Sequence, residues 1–393
     1  MTRAGAAAVP PAILLVALPL LGPLGVLRGP FLLVVALPIL ARALAAIGWI
    51  ELAARPFARV GSAIGAVLST YVAWLGLSAL LTLDVAAVVA VPVGLEVAAR
   101  AGRGGRAQVA SAIVGSNVGS MLFPFSNLTN LVLVAGTGLA FVDFVRVAWI
   151  PQLLAALGAG VVLALRAREL DQDREAVIGE ADEAAAQEAV RRSAEARGVR
   201  PATVLAGIVS VVGALGAVAA GLAGSDVATV LGLTAAIVAT IAVAAGAVRL
   251  GDLARAVSLP ACAVILAAAA LAGPIVAFGQ ALPDPDTTLT PAIALPLIAL
   301  VGGALAATVN NLPAAAFGAV WLSGASPAAI LAYLIGTNVL ALVTPHGSVA
   351  TMLGRTLAHR GGSPVGTRSY LRRAWRYAVV GAVPAIAWLV VVR

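Results

Sequence analysis

In the stretch FPFSNLTNLV, residues 123–132, Ser126, Asn127, Thr129 and Asn130 follow Pro124 inside an apolar run from Val109 to Phe141. A second polar group, Thr344, His346, Gly347 and Ser348, surrounds Pro345 in VTPHGS, and paired amides Asn310 and Asn311 stand before Pro313 in TVNNLP. Asn117 and Asn338 precede the two prolines by several residues. Amides and hydroxyls donate and accept hydrogen bonds without carrying charge. Such a set suits a small polar solute, an oxyanion, or a cation held by oxygens. Asp84, in TLDVAA, adds a carboxylate behind a long apolar run. A charged residue at such depth costs ~3 kcal/mol or more and is a functional candidate by default. Apolar surroundings disfavour its charged form, so Asp84 reads as a proton-coupling group or as the cap of the helix that follows. His346, of the residue type that titrates nearest neutral pH, is the second candidate for proton coupling.

These residues need elements that hold them at depth. The chain has 393 residues, 61% of them hydrophobic and 11% charged, with a mean hydropathy of +1.04. That composition, in long continuous runs, describes an all-α polytopic membrane protein and excludes a soluble domain or a membrane β-barrel. The formal charge of +8 comes from arginines that gather in loops between apolar runs, as the positive-inside rule demands, so nucleic acid is not an expected partner. The single cysteine, Cys262, permits neither an internal disulfide nor a site of several thiolates. No cofactor and no metal site are expected. The N-terminal apolar stretch reads as a first span, not as a cleaved signal peptide.

One charged stretch, residues 166–200, divides the chain into a first membrane half (1–165) and a second (201–393), and reads as a cytoplasmic linker. The halves repeat one another: VGSNVGSMLFPFSNLTNLV aligns with IGTNVLALVTPHGSVATML without gaps, pairing Gly115 with Gly336, Asn117 with Asn338 and Pro124 with Pro345. Residues 60–99 are flanked by arginines on both sides, whereas 291–324 have none at either flank. Each segment therefore enters and returns on its own side, as a re-entrant hairpin, and the two halves insert upside down relative to each other. Inverted repeats with discontinuous helices are the mark of secondary transporters. The expected architecture is nine spans, hairpins at about 60–99 and 291–324, and broken helices at about 107–142 and 329–354. The N-terminus is expected in the cytoplasm, in the plasma membrane of a bacterium.

Polar residues at a break have a purely structural use, because they cap backbone groups that proline frees. Four within five residues exceed that need, so a solute or ion site is expected there. Glu96 and Arg100, four apart, read as a helix ion pair. An enzyme is not expected: the Asp-x-Asp pairs Asp171/Asp173 and Asp284/Asp286 fall in loops between spans.

SNLTN (126–130), NNLPA (310–314), TPHGSVATML (344–353) and LDVAAVVAVP (83–92) together resemble the arsenical pump membrane proteins, the arsenite/antimonite efflux permeases of the ion transporter superfamily. GWIELAARPFARVG (48–61) is similar to the segment ahead of that family's first hairpin. The resemblance implies export of trivalent arsenic and antimony by alternating access, driven by protons or by an associated ATPase, with a homodimer left open. It carries the solute site onto Asp84, Ser126, Asn127, Thr129, Asn130, Asn310, Asn311, Thr344, Gly347 and Ser348. Departures from the family pattern are Leu83, Val85, His346, Asn338 and Gly354. The alternatives are a sodium- or proton-coupled carrier of carboxylate or inorganic anions, and a sodium/proton antiporter.

Overall fold

The computed structural model describes residues 25–80, 82–172, 201–223, 225–257, 262, 281–283 and 289–392. Most of the expected first span, most of the linker and most of the 256–280 run lie outside the described residues. Helices α1 (Gly25–Ala46) and α2 (Trp49–Ala58) lead into a hairpin, α3 (Ala63–Leu80) and α4 (Leu83–Arg100). A broken helix follows, α5 (Arg106–Gly119) and α6 (Leu128–Thr137), with a 3-10 turn at Pro124–Ser126 between them, and then the long α7 (Phe141–Gln172). The second half supplies α8 (Pro201–Leu222), α9 (Val227–Ala244) and the short α10 (Leu250–Ala254). A second hairpin, α11 (Pro291–Val309) and α12 (Asn311–Trp321), precedes the second broken helix, α13 (Pro327–Asn338) and α14 (Val349–Arg360), and α15 (Thr367–Val392) ends the chain. The fold is an all-α inverted repeat with two hairpins and two broken helices.

Six of these helices are long and apolar enough to cross a membrane: α3, α7, α8, α9, α11 and α15. Residues such as Leu157, Ile208 and Val383 keep more than half of their surface exposed, which hydrocarbon accepts and water would not. At one end, Gly105 lies against Ser363 and Gly361 against Leu95, so the loops after α4 and α14 meet. Arg100, Arg103, Arg106 and Arg373 gather at that end. Glu96 and Arg100 form the expected pair there, at 2.5 Å.

The repeat extends to where the elements begin. α5 and α13 start at residues 106 and 327, and α6 and α14 at 128 and 349; 327 − 106 and 349 − 128 both give 221. Within each half, the first hairpin arm packs on the first segment of the broken helix, α3 on α5 and α11 on α13. Between halves the partners exchange: α4 packs on α14, and α12 on α6. α7 and α15 pack along each other where the halves join.

Close approach of hairpin arm and broken helix requires the glycines that the repeat pairs. A Cβ on Gly115 would meet the Trp74 Cβ at 2.9 Å, and one on Gly336 would meet the Ala299 carbonyl oxygen at 2.2 Å. Polar links add to the first contact. Thr70 donates to Gln108 Oε1 at 2.8 Å, and Ser111 to the Val67 carbonyl at 3.2 Å, all buried. Because lipid supplies no hydrophobic drive between helices, small residues and such hydrogen bonds carry the association. Gly336→Ala is therefore expected to destabilise by ~1–3 kcal/mol or more, read as a lowered melting temperature in detergent. Gly76→Ala, where a Cβ meets nothing within 4 Å, should leave it unchanged.

Candidate functional site

A helix ending inside a membrane exposes its last carbonyls, each of which needs a donor. At the end of α5 almost all of them find side chains. Ser116 O accepts from Ser78 Oγ at 2.6 Å, Asn117 O from Ser120 Oγ at 2.8 Å, and Gly119 O from Gln152 Nε2 at 3.1 Å. Asn130 Nδ2 donates to Ser120 O at 2.7 Å and to Phe123 O at 3.1 Å. Ser126 Oγ donates to Ala79 O at 2.5 Å, tying the break to the end of α3. Asn127 caps α6, its side chain accepting from Thr129 N at 3.0 Å.

The second break repeats the scheme with different residues. Thr344 Oγ1 donates to Ala307 O at 3.1 Å, the counterpart of Ser126 on Ala79. Ser348 caps α14, accepting from Thr351 N at 3.1 Å, as Asn127 caps α6 at the position 348 − 127 = 221 residues earlier. The tip of the second hairpin lies directly on this break. Asn310 Nδ2 donates to His346 O at 2.8 Å, and Asn311 N donates to Gly347 O at 2.9 Å. Gly347 is obligatory, since a Cβ would stand 2.1 Å from Ala341 O.

The two breaks meet. Asn338 Oδ1 accepts from Asn127 Nδ2 and from Thr129 Oγ1, both at 3.0 Å, and Asn338 Nδ2 donates to Asn130 Oδ1 at 2.9 Å. The reciprocal contact is Asn117 Nδ2 to Thr351 Oγ1 at 3.3 Å. Asn338 and Asn117, and Thr351 and Asn130, are each separated by 221 residues (338 − 117, 351 − 130), so the contact is self-complementary in the manner of a two-fold interface. All six residues are at most 2% exposed.

Strain marks both hairpin tips. Among the described residues, only Thr82 (φ 148) and Asn310 (φ 85) are non-glycine residues with positive φ. They occupy equivalent positions, each just before the second arm. With ψ of 161 and 152, both lie in a region that side chains rarely enter and that clusters at ligand clamps. The asparagine offsets the strain by capping Leu312 N; Thr82 makes no cap, and its buried hydroxyl has no partner. Ser116 Oγ and Asn117 Oδ1 are also buried without partners. Most of the polarity at the breaks thus serves the backbone, and these three oxygens, with Gln152 Oε1, are what remains.

The other sequence candidates divide. Asp84 lies in the first turn of α4, and its side chain lies outside what the structure describes. Its neighbours Leu83 and Ala87 cluster with Ala350, bringing the start of α4 against the start of α14. His346 is exposed at the rim of the second break, with only its carbonyl in the network. Thr82 and Ser120 were not singled out from sequence; a positive φ leaves no trace in residue type. Among the described residues, the only buried charged side chains are Glu96 and Arg166, near helix ends, and no cluster of His, Cys, Asp or Glu fit for a metal occurs.

Comparison with known proteins places this arrangement. The family described as citrate transporter (CitMHS) matches residues 2–347, and the chain belongs to that family of secondary membrane transporters. No curated protein matches it. Among solved structures, it is similar to the crystal structure of the Alcanivorax borkumensis YdaH transporter, described as revealing an unusual topology. The TM-score is 0.54 at 18% identity, covering 92% of this chain and 84% of that one. That likeness speaks for the fold alone.

Removing the hub at Asn338 strands three buried partners at once, each costing about 1–3 kcal/mol. Asn338→Ala is expected to lower transport by at least tenfold, whereas Asn117→Ala, with a single bond across the halves, should cost less. Flux through purified variants in liposomes, normalised to folded protein, checks the order.

Proposed function

We propose that this chain carries a small carboxylate anion, of which citrate is the first to test, by alternating exposure of the crossing between its two broken helices. One observation supports this most. The second arm of each hairpin and the second segment of each broken helix all begin at or beside that crossing, so α4, α6, α12 and α14 direct their N-termini there. Helix N-termini combine free N–H groups with partial positive charge and bind anions without a cationic side chain. The family's description favours the same class of solute.

The arsenite and antimonite reading stands second. Trivalent arsenic near neutral pH is mostly an uncharged trihydroxide, which amides and hydroxyls would suit but which gains little from converging helix dipoles. A gradient-driven carrier of this design has no need of an associated ATPase. Coupling falls to Asp84, at the start of α4, with the unpartnered oxygens of Thr82, Ser116 and Asn117 as the acceptors for sodium in the alternative.

Purified protein in liposomes should accumulate labelled citrate at least tenfold over protein-free vesicles under a proton or sodium gradient, and should not move arsenite or antimonite. Arsenite transport without citrate transport would reverse the assignment. If protons are the coupling ion, Asp84→Asn should flatten the pH dependence of uptake while leaving exchange of solute for solute in place; an unaltered pH profile would reduce Asp84 to a helix cap.

A further inference from the structure

Away from the crossing, α5, α7 and α15 enclose a narrow crevice with mostly apolar walls, among them Val109, Ile113 and Val365. Arg106 and Arg373 line it as well, at the arginine-rich end of the molecule. So does Tyr377, which is 4% exposed and whose buried hydroxyl has no hydrogen-bond partner. Arg166, Arg373 and Glu169 are charged neighbours of that tyrosine. Arg166 donates from Nη2 to Glu169 at 2.6 Å, but its Nε and Nη1 are buried with no partner. Arg373 is held by a bond to Ser369 Oγ at 2.7 Å. Buried donors without acceptors are rare in folded proteins, and the Tyr377 hydroxyl is one on the crevice wall itself, whereas Arg166 is outside the lining.

The level of the crevice identifies what supplies the acceptors. Trp375, 47% exposed, carries the Arg376 guanidinium 5.4 Å from its ring centre, two residues along α15 from both Arg373 and Tyr377. An exposed tryptophan beside arginine marks the boundary between hydrocarbon and headgroups. Farther along the same two helices, Leu157, Val161, Val379 and Val383 are exposed and apolar, as a lipid-facing surface requires. We infer that the crevice binds an anionic phospholipid: its phosphate oxygens accept from Tyr377 and Arg373, which line it, and the first part of an acyl chain follows the apolar wall. Basic pockets between membrane helices on the cytoplasmic side hold headgroups in this way. A free phosphate ion shares the headgroup chemistry but gains nothing from the apolar wall.

The test uses the full chain in neutral detergent, stripped of lipid, with phosphatidylglycerol, phosphatidylcholine or inorganic phosphate added back. Melting temperature and lipid retention in native mass spectrometry are the readouts. Phosphatidylglycerol should raise the melting temperature by several degrees and remain bound, while phosphatidylcholine and phosphate should do neither. Tyr377→Phe removes one unpartnered oxygen, so it should leave the lipid-free melting temperature unchanged and weaken phosphatidylglycerol binding about three- to tenfold; Arg373→Gln should weaken it about tenfold. An equal response to inorganic phosphate would make this a soluble-anion site, and an equal response to phosphatidylcholine, or binding undiminished by Tyr377→Phe, would overturn it. The readouts involve no transport, so the lipid site stands or falls apart from the solute assignment.

Discussion

Hydrocarbon offers a broken helix no water, and that constraint organises the molecule. Each break at Pro124 or Pro345 frees carbonyls worth several kcal/mol apiece if left alone. The fold meets them with side chains from three directions: the hairpin tip, the following segment of the same helix, and the long helix behind. Ser78, Asn130 and Gln152 do this at the first break, and Asn310 and Tyr370 at the second, while Ser126 and Thr344 do the converse for Ala79 O and Ala307 O near the ends of the hairpin arms. A hairpin of this length would not stay in a membrane by itself, because its tip presents unpaired backbone to lipid. It is stable only where a break presents the complementary groups, so hairpin and break are two halves of one device.

The self-complementary contact follows from that device. Once each hairpin is committed to its own break, what the breaks offer each other is the remainder, amide to amide and amide to hydroxyl. The first half gives three partners to Asn338, and the second gives one to Asn117. The imbalance is physical and not a defect of the repeat: position 129 is threonine where its mate, residue 350, is alanine, and position 127 is asparagine where its mate is serine. Asn117 is consequently left with an unpartnered side-chain oxygen, Oδ1. A symmetric scaffold has thereby acquired one satisfied and one unsatisfied face.

Much of this was legible in the residues. Proline beside clustered amides located both breaks, the gapless repeat paired them, and the arginine pattern gave the hairpins and their opposed insertion. The element boundaries now fall on the same offset that the sequence alignment used. Three things were not legible. Burial of Thr82 with positive φ depends on how a tip packs, not on threonine itself. The consumption of Ser126 and Asn130 by backbone carbonyls could be suspected from residue type but not apportioned until the carbonyls had positions. The gathering of Arg106, Arg373 and Tyr377 around one crevice joins segments from both halves of the chain, and no local pattern announces such a meeting.

Among the described residues, the buried polar side chains at the crossing carry no formal positive charge, although an anion that leaves water must have its desolvation offset. A fixed guanidinium in the membrane interior carries its own penalty whenever the solute leaves, and an alternating carrier must spend part of every cycle empty. Helix N-termini avoid this difficulty. Their partial charge is spread over backbone N–H groups, and caps such as Asn127 and Ser348 already satisfy some of these groups in the empty state. The empty carrier is then left with a few under-used hydrogen bonds and not with an isolated ion. On the proposed reading, four N-termini at the crossing are better suited to picking up and releasing an anion repeatedly than a salt bridge would be.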